Sequence, residues 1–177
     1  YAARSWDENE FFGKIFEPNR YNKLINKYLT KNDSLVHNIL KIARNSNNKE
    51  KIILYEKAME IEKTTPFVSD YLQAEIFEDI GDIYYGQKEH NKALEKYLQA
   101  INHYEIINSR VDLYPLYEKA SLIYGKELNN LKKSLIYSKK ALKDLIIIGA
   151  DNYLIAYNYK KVADTYIYLK DYENALV

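Results

Sequence analysis

Four carboxylates crowd one stretch of this chain: Glu75, Glu78, Asp79 and Asp82. Helical spacing sets Glu75, Glu78 and Asp82 on one face, a row of negative charge that by default is a solvated surface. The three histidines, His37, His90 and His103, have no partner at metal-ligand spacing such as i, i+4 on a helix. They read as solvated or hydrogen-bonded structural side chains, with His90 in a turn. The five glycines are scattered and form neither G-x-G-x-x-G nor G-x-x-x-x-G-K, so no phosphate-cradling loop follows. Cysteine is absent, which removes thiolate metal sites, disulfides and a cysteine nucleophile. No catalytic residue, metal site or cofactor emerges, and the chain reads as a non-enzyme.

Charge narrows the partners. The net charge is +1, divided as +3 over residues 1–66 (12 basic, 9 acidic) and −2 over 67–177 (14 basic, 16 acidic). Neither part has the basic excess that a phosphate backbone demands, so no nucleic-acid partner is expected. The longest uninterrupted apolar run, Leu145–Ala150, is far short of the ~18 residues of a membrane span. With 177 residues, 47% of them hydrophobic, the chain can bury a real core. It begins at Tyr1 rather than Met, which reads as a piece of a longer product; the compartment stays open, with the cytoplasm favoured.

The elements that must position these residues are helical throughout, and no segment alternates as a strand would. Tyr21, Leu24, Ile25, Tyr28 and Leu29 share one helix face; Leu35, Ile39 and Ile42 share another, behind Ser34 as N-cap. Ile52, Ile53, Tyr55, Ala58 and Ile61 form a third stripe. Further helices are expected over about 69–85, stopped by Gly86, and over 91–107. Another is capped by Asp112, with Pro115 in its first turn and Gly125 at its end. The last ones run over 131–148, stopped by Gly149, over 153–169 behind Asp151 or Asn152, and from Asp171 onward.

The spacing repeats. Phe77-x2-Ile80-Gly81-x2-Tyr84 followed by Ala93-x3-Tyr97-x2-Ala100 resembles the tetratricopeptide repeat, in which small residues let paired helices approach closely. Tyr159-x2-Val162-Ala163-x2-Tyr166 with Ala175 resembles a second copy. Leu116-x2-Lys119-Ala120-x2-Ile123 with Ser134-x3-Ser138-x2-Ala141 is a degraded one. There, Lys119 replaces an aliphatic residue and Ser138 an aromatic. Lys51-x3-Tyr55-x2-Ala58 resembles the second helix of a fourth. Ala58, Ala100 and Ala141 lie 42 and 41 residues apart. That period is similar in length to those of kinesin light chains and of peptide-sensing regulators of Gram-positive bacteria.

The resemblance implies an all-α fold, an α-solenoid of antiparallel helix pairs. Its repeats would span about 34–66, 69–110, 112–150 and, incomplete, 151–177. Residues 1–33, with Trp6, Phe11, Phe12 and Phe16, would form helices packed on the array. It further implies a groove lined by the first helix of each repeat: Glu75, Glu78, Asp82 and Tyr85; then Tyr114, Tyr117, Ser121 and Tyr124; then Tyr157, Lys160, Asp164 and Ile167. Such a groove, acidic and aromatic, would hold a basic or amphipathic peptide of a partner protein. The alternative is a sensor or regulatory segment of a larger protein. An apolar C-terminal edge, open to further helices or to self-association, is expected as well.

Overall fold

The computed structural model describes residues 31–62 and 70–176, and among them every regular element is a helix. The chain divides into two compact units, Tyr1–Phe67 and Val68–Val177, each described by itself. The expected helix around Tyr21–Leu29, and Trp6, Phe11, Phe12 and Phe16, lie outside the described residues, as does the side chain of His37.

In the first unit, α1 (Lys31–Arg44) packs on α2 (Asn48–Glu62). The buried stripe of α1 is Val36, Ile39, Leu40 and Ala43, spaced i, i+3, i+4 and i+7. Ile42 faces out at 58% exposure, so the expected stripe is corrected by a fraction of a turn. Ser34 lies inside α1 rather than at its N-cap. Asn47 opens α2, its side-chain oxygen accepting from the Glu50 amide at 3.1 Å. Tyr55 and Ala58 are buried as expected, whereas Ile53 is exposed.

The second unit runs α3 (Asp70–Gly86), α4 (His90–Ile106), α5 (Arg110–Leu122), α6 (Leu131–Ile147), α7 (Asn152–Tyr168) and the single turn α8 (Tyr172–Ala175). A π-helical turn, Ile123–Glu127, extends α5. Each helix packs chiefly on its sequence neighbours, as short connections require. Between α3 and α6 the core holds Tyr97, Tyr104, Leu113, Leu116, Ala120 and Ile123, all nearly inaccessible.

One turn chemistry recurs. After α3, the Glu89 amide donates to the Tyr84 carbonyl and the Lys88 amide to that of Tyr85. The same pair of bonds follows α4 at Ser109 and Asn108, α6 at Ala150 and Gly149, and α7 at Asp171 and Lys170. This closure needs one left-handed residue, and Lys88, Asn108, Gly149 and Lys170 supply it with φ of 62°, 55°, 68° and 62°. Gly149 stops its helix as expected. Gly86 is the last residue of α3, as expected, but the left-handed position falls to Lys88 two residues later. Gly125 lies within the π turn, where a Cβ would come 2.8 Å from Ser134 Oγ, so it serves close approach rather than termination.

Two more boundaries move. Helix α5 starts at Arg110 behind Ser109, which places Asp112 in the first turn and Pro115 in the interior. His90 opens α4 instead of lying in a turn. Asn130 and Asp151 cap α6 and α7, accepting from the Lys133 and Tyr153 amides at 3.1 and 2.8 Å.

Candidate functional site

The expected groove residues fall into distinct environments. On α3, Glu78 and Asp82 are held by Lys119 of α5, whose Nζ lies 2.9 Å from Glu78 Oε1 and 2.7 Å from Asp82 Oδ1. Asp82 also accepts from the Tyr97 hydroxyl at 2.6 Å. Burial works to lower the Lys119 pKa, but the hydrogen bonds to Asp82 and Glu78 outweigh it and the ammonium is held above its ordinary value. The acidic row is thus partly neutralised from within. Lys119, the departure from the repeat pattern, spends its charge there and lays its Nζ 5.2 Å from the centre of the Tyr97 ring. Glu75 and Tyr85 are half-buried, with Tyr85 edge-on to His90 at 5.5 Å between ring centres.

On α5, only Tyr114 of the four expected residues is partly open; Tyr117, Ser121 and Tyr124 are buried at 4%, 5% and 7% exposure. Tyr137 of α6 covers the two tyrosines, stacking on Tyr124 at 5.4 Å and lying 6.1 Å from Tyr117, while Ser121 is held against Ser134 and Ser138 at 3.0 and 2.7 Å. Their role as groove residues is therefore corrected to packing. The Tyr117 hydroxyl donates to Glu105 at 2.6 Å, and Lys140 reaches the same carboxylate at 3.0 Å. Burial, then the bond to Glu105, pushes the Tyr117 phenol well above its ordinary value. Burial would raise the Glu105 carboxyl, but the bonds from Tyr117 and Lys140 prevail and hold it below the usual range.

On α7, the expected face is open. Tyr157 is 51% exposed, Lys160 pairs with Asp164 at 3.0 Å, and Tyr153 and Tyr168 are more exposed still. Lys161 crosses to Glu118 of α5 at 2.6 Å.

The remaining candidates resolve into structure. His103 Nδ1 lies 2.9 Å from Asp70 Oδ1 and its ring stacks on Phe77. His90 Nε2 is 3.4 Å from Glu127, with Nδ1 buried and unpartnered. Among the described residues, no group of three or more His, Cys, Asp or Glu side chains could hold a metal ion. No helix among them is long and apolar enough to cross a membrane.

Two clefts open in the second unit, the second of them at the C-terminal edge where an apolar face is expected. One, of about 440 Å³, opens between α5 with its π turn, α6 and α7, with Ser121, Ser134, Ser138, Thr165 and Tyr168 on its walls. The other, of about 460 Å³, lies between α6, α7 and α8 and is lined by Leu142, Ile146, Ile147, Tyr159, Val162 and Tyr166. The sequence signal for the first was the pair of small residues, Ser134 and Ser138, at positions where the first copy has Ala93 and Tyr97.

No protein-family model matches the chain, and no curated protein matches it. Among solved structures it is similar to BtubC (BKLC) from P. vanneervenii, with a TM-score of 0.65 at 13% identity, over 92% of this chain and 70% of that one. At that identity, what the two share is a fold.

Proposed function

We propose that the chain is a non-catalytic, tetratricopeptide-like repeat module, a solenoid that binds a peptide or helix of a partner protein on the exposed face of its first helices. The observation that carries this reading is one packing device recurring in register. Tyr97 of α4 bonds Asp82 of α3, and Ser138 of α6 bonds Ser121 of α5 at 2.7 Å. Position 138 stands to 121 in the second helix pair as 97 stands to 82 in the first. Units that repeat a contact in this way extend one face rather than enclose a site, and such faces recognise extended partners.

Because Lys119 occupies Glu78 and Asp82, and Lys160 occupies Asp164, aromatic contact outweighs charge in this face. The exposed tyrosines of α7 and Tyr85 of α3 supply rigid rings with a polar tip, which bury area at low entropic cost. The partner is an amphipathic peptide, with basic groups secondary. Selection from a random peptide library on the immobilised chain tests this. Tyr157→Ala and Tyr85→Ala are expected to weaken the selected peptides about tenfold each; the melting temperature stays unchanged for the exposed Tyr157 and falls for Tyr85, which packs against the core. A library yielding no binder, or binders indifferent to both variants, refutes the proposal.

A further inference from the structure

Tyr159, Val162, Ala163 and Tyr166 of α7 repeat the spacing of Phe77, Ile80, Gly81 and Tyr84 on α3. On α3 that row seats a helix: α4 packs on it, Tyr97 lies against Gly81, and Ile80 and Gly81 are buried. On α5 the matching Leu116, Ala120 and Ile123 are fully buried, with α6 packed on that helix. On α7 the row is met by the single turn α8. Tyr159 stays 47% exposed, and the cleft of about 460 Å³ opens beside it, with Leu142, Ile146 and Ile147 of α6 as its other wall. A row that twice seats a helix in this chain has the form of a helix seat here. An apolar trough between two helix ridges accepts the apolar face of a third helix.

The charge at the rim selects among helices. Among the described residues, the charged side chains lining the cleft are Lys139 and Lys143, four residues apart on α6 and both exposed. Lys139 Nζ meets a neutral partner, the Tyr166 hydroxyl at 3.0 Å. The rest of α6 reinforces the sign. It carries Lys132, Lys133 and Lys140 as well, and its one acid, Asp144, is spent on Arg110. A two-fold related copy of the chain would set these lysines against themselves, which keeps self-association through this edge weak. Carboxylates brought to the same rim are attracted instead.

We propose that this cleft docks an acidic amphipathic helix of a partner protein, its apolar side on Leu142, Ile146, Val162 and Ala163 and its carboxylates toward Lys139 and Lys143. The seat lies apart from the exposed face of the first helices, since Tyr85 and Tyr157 are not on its walls.

The probes are two synthetic amphipathic peptides as long as α6, 17 residues. They share an apolar face of leucine and alanine, and the polar face is glutamate in one and lysine in the other. Each is titrated into the whole chain and followed by amide chemical shifts. The glutamate peptide is expected to shift Leu142, Ile146, Val162 and Ala163 saturably. It should bind at least tenfold tighter than the lysine peptide at low salt, the gap narrowing as salt screens it. Replacing both exposed lysines, Lys139→Glu with Lys143→Glu, should reverse the preference and leave the helical ellipticity unchanged. Ile147→Ser, at a position 52% exposed, should weaken the glutamate peptide several-fold. Tyr157→Ala should leave this binding as it is, so the seat and the first-helix face fail separately. No saturable shift, equal affinity for the two peptides, a preference that survives the double variant, or shifts confined to the first-helix face overturns the inference. A dimer of the chain that shuts the glutamate peptide out assigns the cleft to a second copy and overturns it as well.

Discussion

Replacing Gly81 with alanine adds one methyl group where the fold has no room for it. The added Cβ would lie 2.6 Å from both Cδ1 and Cε1 of Tyr97, and real Cβ contacts essentially never fall under 3.0 Å. Tyr97 cannot swing aside cheaply: it is 1% exposed, its hydroxyl is tied to Asp82, and Lys119 lies over its face. Overpacking of this kind costs roughly 1–3 kcal/mol, and the pinned ring puts Gly81→Ala at the upper end. Alanine returns about 1 kcal/mol of helix propensity. The net is a loss of about 2 kcal/mol, or roughly 4–8 °C in melting temperature for a chain of this length. Gly86→Ala is the matched control. A Cβ there meets nothing within 4 Å and the backbone is not left-handed, so about 0.5 kcal/mol of stabilisation is expected. Thermal melts followed by helical ellipticity, with urea midpoints at constant slope, read both signs. A Gly81→Ala protein that melts at the wild-type temperature, or two glycine variants shifted the same way, would refute the packing argument.

Alkali should unfold the second unit abruptly. Tyr97, Tyr104 and Tyr117 are held above the ordinary phenol value of 10.0, chiefly by burial, so the stability they contribute is fully present below pH 10 and drains away as pH rises beyond it. Their phenolate absorbance is expected to grow only as helix is lost; smooth ionisation near pH 10 in an intact helical protein would contradict this. Arg110→Met strands the Asp144 carboxylate, 6% exposed and held by Arg110 at 2.6 Å, and should cost about 3 kcal/mol. Adding Asp144→Leu should recover most of that in denaturant melts, and an Arg110→Met protein of wild-type stability would refute the pairing. At the C-terminal edge, the apolar cleft between α6, α7 and α8 predicts partial self-association at high concentration. Light scattering should show it and Ile146→Lys should remove it; a strictly monomeric chain at all concentrations counts against it.

Helices, their approximate lengths and the absence of strand among the described residues were legible from apolar spacing alone, because burial of one helix face imposes a period near 3.6. Capping by Asp151 and the stop at Gly149 were equally local, since an Asx oxygen or a left-handed residue acts within a turn of its own position. What periodicity reports is that a face is buried, never against what. The resemblance put Tyr117, Ser121 and Tyr124 in a groove, but Tyr137 covers the two tyrosines and Ser134 and Ser138 meet Ser121. Helix α3 ends at Gly86 as expected, yet the left-handed residue is Lys88, which the turn tolerates once two backbone hydrogen bonds close it. Lys119 read as a blemish in the repeat, yet its long stem carries the ammonium back to carboxylates 37 and 41 residues earlier. The cleft at Ser138 belongs to tertiary structure outright. A small residue becomes a cavity only when the neighbouring helices are held apart, and the ring of Tyr137 lies against Tyr117 and Tyr124 rather than in the gap.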